Sequence, residues 1–282
     1  MFINGLGLIG ASMAKIIKQT DPTVSITACD VNPQNLTLMK AAHVIDQAVD
    51  FTQGATNADV IILATPVKSI IKSLNQLAQL KLRPDVLVTD VGSNKTAIVD
   101  AAQPLVDRGI HFLGGHPMAG SHLSGSQHSS SQLLAAHTYF LVNVNASQQQ
   151  ISAFKGLIAA GQFNFQSLSA IDHDQLVSLT SHLPHALAFT LINMIDQKIN
   201  AMGIDPGIPA GGLLDTTRVA KANPTMWASI LTSEPQTITD QITDLQQQLE
   251  QLKTMIKAGD EQALKQMFTH ANQIRNKMED LT

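Results

Sequence analysis

One histidine sits in a setting that ordinary packing does not require. Gly114-Gly115-His116-Pro117-Met118-Ala119-Gly120 surrounds His116 with glycines and a proline, a composition that reads as irregular backbone around one imidazole. Imidazole titrates near neutrality, so a positioned histidine can take a proton from an alcohol while its hydride leaves. Asp90-Val91-Gly92-Ser93-Asn94-Lys95 supplies a hydroxyl, Ser93, that can donate to or accept from a substrate oxygen. Taken alone, Ser93 or Asn94 fits an ordinary helix N-cap better. Ser181-His182-Leu183-Pro184-His185 sets two imidazoles around a proline, with Asp172-His173-Asp174 shortly before. On a helix, Asp174 and His185 return to nearly the same face, and Ser178 and His182 share that flank. Pro184 removes one N–H bond and frees a carbonyl near Thr180. Histidines at this spacing with carboxylates can hold a divalent ion, but hydride transfer needs none, so no metal is expected. Asp215-Thr216-Thr217-Arg218 offers a guanidinium fork that pairs bidentately with a carboxylate. Trp227, the single tryptophan, follows. Taken alone, a surface ion pair explains Arg218 better, and core packing explains Trp227 better.

A second constellation opens the chain. Gly5-Leu6-Gly7-Leu8-Ile9-Gly10 fits G-x-G-x-x-G, directly after a strand and at the start of a helix. The first glycine permits a tight turn, the second lets backbone approach a pyrophosphate, and the third lets helix pack on strand. The helix N-terminus then faces the phosphates. Asp30 ends the second strand, where a carboxylate can bind an adenosine ribose and repel a 2′-phosphate. No Arg or Lys follows before Lys40, which favours NAD over NADP. Thr65-Pro66 ends another strand and borders the same crevice, or is simply a turn. Cys29 reads as a small buried apolar residue.

The elements that must position these groups follow from periodicity. Short β-rich runs at 1–4, 25–29, 60–64, 86–90, 138–142 and 163–168 alternate with helical patterns such as 9–19 and 67–80. That alternation predicts a parallel sheet covered on both faces. The first strand is shorter than the usual five or six residues, as it would be if residues were missing ahead of Met1. From residue 169 long helical stretches take over, interrupted by a Gly/Pro-rich loop at 201–214. Ile238, Ile242, Leu245, Leu249, Leu252 and Ile256 then mark a helix with a narrow apolar seam. Residues 121–131, rich in Ser, Gly and His, read as a mobile lid or a solvated loop. The fold class expected is therefore an α/β dinucleotide-binding (Rossmann) domain with a doubly wound, mostly parallel sheet at 1–168, then an all-α domain at 169–282.

Composition narrows the functions. The 282 residues are 44% hydrophobic and 14% charged, enough apolar material for a core. A net charge of −4 leaves no basic surplus for nucleic acid. One cysteine forms no intramolecular disulfide. No Lys/Arg-led apolar leader and no run near 18–20 apolar residues is present, so a soluble cytoplasmic protein is expected, without membrane contact.

Taken in order, G-L-G-L-I-G, D-V-G-S-N-K, G-G-H-P-M-A-G, S-H-L-P-H and D-T-T-R-V-A-K-A-N-P-T-M-W resemble the prephenate/arogenate dehydrogenase family of tyrosine biosynthesis, and its monofunctional prephenate members most. The resemblance runs from Gly5 to Trp227. It implies NAD-dependent oxidative decarboxylation of prephenate to 4-hydroxyphenylpyruvate, with arogenate dehydrogenation as the alternative. It implies that His116 draws the hydroxyl proton and that Ser93 shares that hydroxyl beside the nicotinamide. His185 and His182 contact substrate, Arg218 binds a substrate carboxylate, and Trp227 shapes the pocket. Gly5 to Gly10, Asp30, Thr65 and Pro66 bind the cofactor. The helical half dimerises; the seam at 238–256 fits that interface or an intramolecular core. Two positions depart from the pattern: His122 stands where many members carry Glu, and Leu214 where many carry Arg. With about 25 residues after the seam helix, no regulatory or mutase domain is expected. A helical-tailed reductase of another substrate, or a non-catalytic NAD-binding sensor, would explain the glycines but not the remaining blocks together.

Overall fold

The computed structural model of the chain describes residues 1–119, 123–203, 210–233 and 235–279. Its strands are β1 (Phe2–Asn4), β2 (Thr27–Cys29), β3 (Gln47–Ala48), β4 (Val60–Leu63), β5 (Leu87–Asp90), β6 (His111–Pro117), β7 (Thr138–Asn143) and β8 (Asn164–Ser167). Helices α1 (Leu8–Thr20), α2 (Pro33–Ala41), α3 (Phe51–Thr56), α4 (Val67–Leu77), α5 (Thr96–Val106) and α6 (Gln148–Leu157) fall between them. Then come α7 (Ala170–Val177), α8 (Leu183–Met202), α9 (Gly211–Thr216), α10 (Pro224–Ser233), α11 (Pro235–Ala258) and α12 (Glu261–Glu279). Two compact units result, Met1–Pro235 and Gln236–Thr282.

The eight strands form one sheet in the order β3-β2-β1-β4-β5-β6-β7-β8. Only the β6–β7 pair is antiparallel. Side chains alternate across the sheet and fill two cores. Ile3 and Ile62 join Met13, Ile16 and Ile17 of α1 on one face. Phe2, Ile61 and Leu63 join Ile70, Leu74 and Ile98 of α4 and α5 on the other. Strands buried on both faces are what a parallel sheet wrapped by helices requires. The register sets Asn4 level with Leu63 and Leu63 level with Asp90, so Gly5, Ala64, Val91 and the end of β6 share one edge of the sheet.

Two strands were absent from the sequence reading. β3 is two exposed residues long. β6 contains Gly114-Gly115, a pair with low strand propensity. The backbone around His116 is consequently regular strand, not irregular loop, and the glycines there serve packing. A Cβ on Gly115 would press on the Asp90 carbonyl and the Tyr139 ring, and one on Gly114 on the Val142 backbone.

The Gly/Pro-rich loop is also shorter than expected. Helix α8 runs to Met202 and ends on Gly203 in the left-handed region (φ 68°). Residues 211–214 are helical, closed by the Thr217 hydroxyl donating to the Leu213 carbonyl at 2.6 Å. Residues 204–209 lie outside the described residues. Pro184 is accommodated by one π-helical turn over Ser178–His182, which widens the helix where the missing N–H would have bonded Thr180.

In the second unit, α11 and α12 are joined at Gly259 (φ 64°), and Asp260 caps α12 by accepting from Ala263 N at 2.9 Å. Of the expected seam, Ile238 is buried, while Leu249 and Ile256 are 51% and 60% exposed. No helix among the described residues is long and apolar enough to cross a membrane.

Candidate active site

The dinucleotide turn is built by packing constraints. Gly5 takes φ 98° and donates to the Cys29 carbonyl at 2.8 Å. A Cβ on Gly10 would overlap the Gly5 carbonyl, so α1 can close on β1 only with glycine there. Gly7 caps α1 without a side chain, and a Cβ there would meet nothing within 4 Å. The helix N-terminus thus opens on free space, as phosphate binding needs. Leu6 is fully buried in the core, so it offers only backbone, and its N–H donates to Asp30 Oδ2 at 2.6 Å. Leu8 and Ile9 are half-buried on the first turn of α1. Asp30 Oδ1 accepts from Asn32 N at 2.7 Å and from Asn35 Nδ2 at 3.2 Å, which orients the carboxylate. Thr65 Oγ1 is buried and has no hydrogen-bond partner among the described residues. Pro66 caps α4 in extended backbone. An open helix terminus, an oriented carboxylate and an orphaned hydroxyl fit an NAD-type dinucleotide. Cys29 is half-buried, donates to Asn4 Oδ1 at 3.1 Å, and has its thiol pushed up to about 11 by burial and the neighbouring Asp30.

Of the segment expected to be a lid or solvated loop, the described residues 123–131 are instead tied down. Ser126 Oγ donates to Asn35 Oδ1 at 2.8 Å, Ser130 N to Ser12 Oγ at 3.1 Å, and Lys15 Nζ to the Ser129 carbonyl at 2.6 Å. These bonds hold it on α1 and α2, the helices of the cofactor turn. Ser121 and His122, the latter one of the two departures, lie outside the described residues.

His116 sits near the end of β6, opposite Phe140, on the sheet edge that also carries Gly5 and Ala64. Its Nδ1 is 2.9 Å from His173 Nε2. His173 Nδ1 is in turn 2.7 Å from Asp174 Oδ1. The two Asp174 oxygens accept from Lys95 N and Thr96 N, each at 2.7 Å. The N-terminus of α5 is therefore capped by a carboxylate from α7, not by Ser93 or Asn94 as the cap reading would have it. Ser93 is half-buried, and its Oγ donates to Asn94 Oδ1 at 3.3 Å. Asn94 Nδ2 donates to Ser233 Oγ of α10 at 2.8 Å.

Beneath these groups Lys95 and Asp90 form a fully buried ion pair, and Lys95 Nζ also donates to the Gly115 carbonyl at 2.6 Å. Asp90 accepts from Gly92 N and Gly115 N at 2.7 and 3.2 Å. Removing one partner of such a pair typically costs about 3–5 kcal/mol, because the other charge is left buried alone. The pair locks β5, the Ser93 turn and β6 together. Burial lowers the His116 pKa well below its usual value, and the charges of His173, Lys95 and His182 press the same way, with Asp174 opposing. The sequence shows Asp172-His173-Asp174 only as a polar cluster ahead of Ser181–His185, and Lys95 only as the end of the Asp90–Lys95 motif. Their roles depend on contacts across 57 to 79 residues of chain.

The remaining residues gather around Trp227, which is buried. His185 stacks on its indole at 3.6 Å with 19° between planes, and His182 meets it edge-on at 5.9 Å. His185 Nδ1 donates to the Ser181 carbonyl at 2.9 Å, which leaves Nε2 as an acceptor. Burial lowers the His182 pKa to about 4; it also lowers that of His185, helped by the nearby Arg218 charge. Arg218 is exposed and, among the described residues, pairs with no carboxylate. Leu214 is 54% exposed on α9. His182 connects the two groups: it acts electrostatically on His116 and is acted on by His173 and Asp174. Ser93, by contrast, makes no hydrogen bond to any of these residues among the described ones.

Comparison with known proteins shows the family. The family "prephenate dehydrogenase, nucleotide-binding domain" matches residues 13–161, and "prephenate dehydrogenase, dimerization domain" matches 169–270. The chain belongs to the prephenate dehydrogenase family. A prephenate dehydrogenase of Lactococcus lactis is 36% identical over 280 residues, covering 99% of this chain and 77% of the relative. Prephenate dehydrogenase of Aquifex aeolicus, crystallised with hydroxyphenyl propionate and NAD+, superposes with a TM-score of 0.87 at 26% identity, covering 98% of this chain and 97% of that one. Synechocystis arogenate dehydrogenase superposes with a TM-score of 0.82 at 26% identity, covering 98% of each chain. Within the prephenate dehydrogenase family the nucleotide-binding match begins at residue 13, after the glycine turn, so that turn rests on its own geometry.

Proposed function

We propose that this chain oxidises prephenate with NAD+ and releases CO2, forming 4-hydroxyphenylpyruvate in tyrosine biosynthesis. The observation that carries the reading is a half-buried imidazole, its Nδ1 2.9 Å from His173, on the sheet edge that also bears the dinucleotide turn, in a chain of this family. When bound, NAD+ accepts the hydride from the hydroxyl-bearing ring carbon. His116 Nε2 takes the hydroxyl proton, with Ser93 sharing that oxygen. Arg218 clamps a substrate carboxylate, and His182, His185 and Trp227 form the wall against the ring. Gly5 to Gly10, Asp30, Thr65 and Pro66 hold the dinucleotide, with Asp30 on the adenosine ribose. Loss of CO2 aromatises the ring and makes the reaction hard to reverse.

Arogenate is the second reading, favoured by the Synechocystis neighbour. Absorbance at 340 nm, with prephenate and arogenate each offered with NAD+ and NADP+, separates the readings. Turnover of prephenate with NAD+ is expected. Preference for arogenate would change the substrate but keep the mechanism. Silence in all four mixtures, from protein that binds NAD+, would favour a sensor or a different substrate.

The acid side of the pH profile follows from burial. A base must be neutral to accept a proton, and a lowered pKa keeps it neutral further into acid. His116 faces His173, Lys95, His182 and Asp174. kcat/KM is expected to stay level through neutrality and fall only well below pH 6.5. A limb at or above pH 6.5, measured with buffer and ionic strength matched, would contradict a buried neutral base.

We place residues 1–168 as the cofactor domain and 169–282 as the substrate and dimerisation domain of a cytoplasmic homodimer. The exposed seam residues Leu249 and Ile256 support a partner copy. Sedimentation should show about twice the 30.2 kDa chain mass; a single 30 kDa species would reject the dimer.

A further inference from the structure

The direction of the hydrogen bonds around His116 is fixed by the group at their far end. A carboxylate only accepts hydrogen bonds. Asp174 is 4% exposed, and both its oxygens are held by the Lys95 and Thr96 amides. Oδ1 therefore cannot turn away from His173 Nδ1, and at 2.7 Å that nitrogen must carry the proton. A neutral His173 then presents a bare Nε2. His116 Nδ1, 2.9 Å away, must donate to it. The reverse arrangement would put a lone pair of His173 Nδ1 against the carboxylate.

We propose that His173 and Asp174 are positioning residues that keep the His116 proton on Nδ1 and leave Nε2 as the lone pair that accepts from substrate. The proposal rests on the reading of His116 as the base. It adds two residues that touch neither substrate nor cofactor. The alternative, a doubly protonated His173, would place a second cation beside the buried Lys95. Burial lowers the His173 pKa and Lys95 presses the same way, against the Asp174 hydrogen bond and the Asp174 and Asp90 charges, which favours the neutral form. The same carboxylate caps α5, so the base is registered to the turn that carries Ser93. The His173 ring is fixed edge-on to Phe140 at 5.3 Å and 88°, and to His116 at 5.1 Å and 62°.

The direct test is 15N NMR of the imidazoles in the full chain with labelled histidine, with His116 signals assigned by their loss in His116→Ala. His116 is expected to show a protonated Nδ1 and an unprotonated Nε2 between pH 6.5 and 8. A proton on Nε2, or an averaged mixture, would overturn the proposal. This readout needs no turnover, so it stands even if no offered substrate reacts, and a failed activity reading is distinguishable from a failed tautomer reading. The kinetic test is His173→Phe, which keeps a ring against Phe140 but removes the acceptor. kcat is expected to fall by about 10²-fold, at the lower end of what a general base contributes, with the KM for prephenate and NAD+ affinity nearly unchanged. His173→Gln, which restores an acceptor oxygen, is expected to recover at least about tenfold of that loss. A kcat for His173→Phe within about threefold of the unsubstituted chain would overturn the proposal, as would a glutamine variant no better than phenylalanine.

Discussion

Replacing His116 by alanine is expected to lower kcat by about 10²–10⁴-fold, the range a positioned general base supplies. At 1.36 kcal/mol per tenfold, that is about 3–5 kcal/mol of transition-state stabilisation. The loss should fall on kcat, because the proton moves only as the hydride leaves. NAD+ binding should survive, since the dinucleotide turn at Gly5–Gly10, Asp30 and Thr65 does not include His116. Folding should also survive. His116 is one residue of β6, and the buried Lys95–Asp90 pair that locks β5 to β6 does not use its side chain. Steady-state rates at 340 nm, together with NAD+ titration by fluorescence, check both halves. Turnover close to that of the unsubstituted chain would remove His116 from the chemistry.

Arg218→Lys is expected to raise the KM for prephenate by about 10–100-fold with a smaller change in kcat. A charge-assisted hydrogen bond is worth roughly 1.5–3 kcal/mol, and an ammonium cannot reproduce the two parallel bonds of a guanidinium. Arg218 is exposed and pairs with no carboxylate among the described residues, so the substitution should leave stability unaltered. It stands close enough to His185 to act on it electrostatically, which places the cation beside the Trp227 wall. Leu214, exposed on α9, offers the carboxylate no charge. An unchanged KM would show that the carboxylate is bound elsewhere.

Much of this could be read from the sequence because local physics and tertiary need coincide there. β1 and β4 are short apolar runs bounded by turns, and Gly5 and Gly10 are required by a close approach that the motif spacing already describes. The 4-3-4 seam became α11 as expected. Legibility failed where tertiary contacts overrode local preference. Gly114 and Gly115 are poor strand formers, yet they lie in β6 because Asp90 and Tyr139 leave no room for a Cβ at Gly115. The Ser-rich segment around Ser126–Ser130 has the composition of a loop tip, yet Asn35, Ser12 and Lys15 hold it on the cofactor helices. Within the candidate site, single residues with special neighbours were visible: His116, His185 and Arg218. The partners that orient His116 were not, since Asp174 lies 79 residues from the amide it caps. The Asp172-His173-Asp174 cluster was a signal, but spacing alone gave it no partner.

The measurement closest to the central claim is the stoichiometry of one turnover series with prephenate and NAD+. NADH is followed at 340 nm, and released CO2 and 4-hydroxyphenylpyruvate are quantified in the same mixture. Equal amounts of all three are predicted, with His116→Ala forming each about 10²–10⁴-fold more slowly at matched NAD+ occupancy. NADH without CO2, or no NADH from prephenate under saturating NAD+, would contradict an oxidative decarboxylation driven by His116.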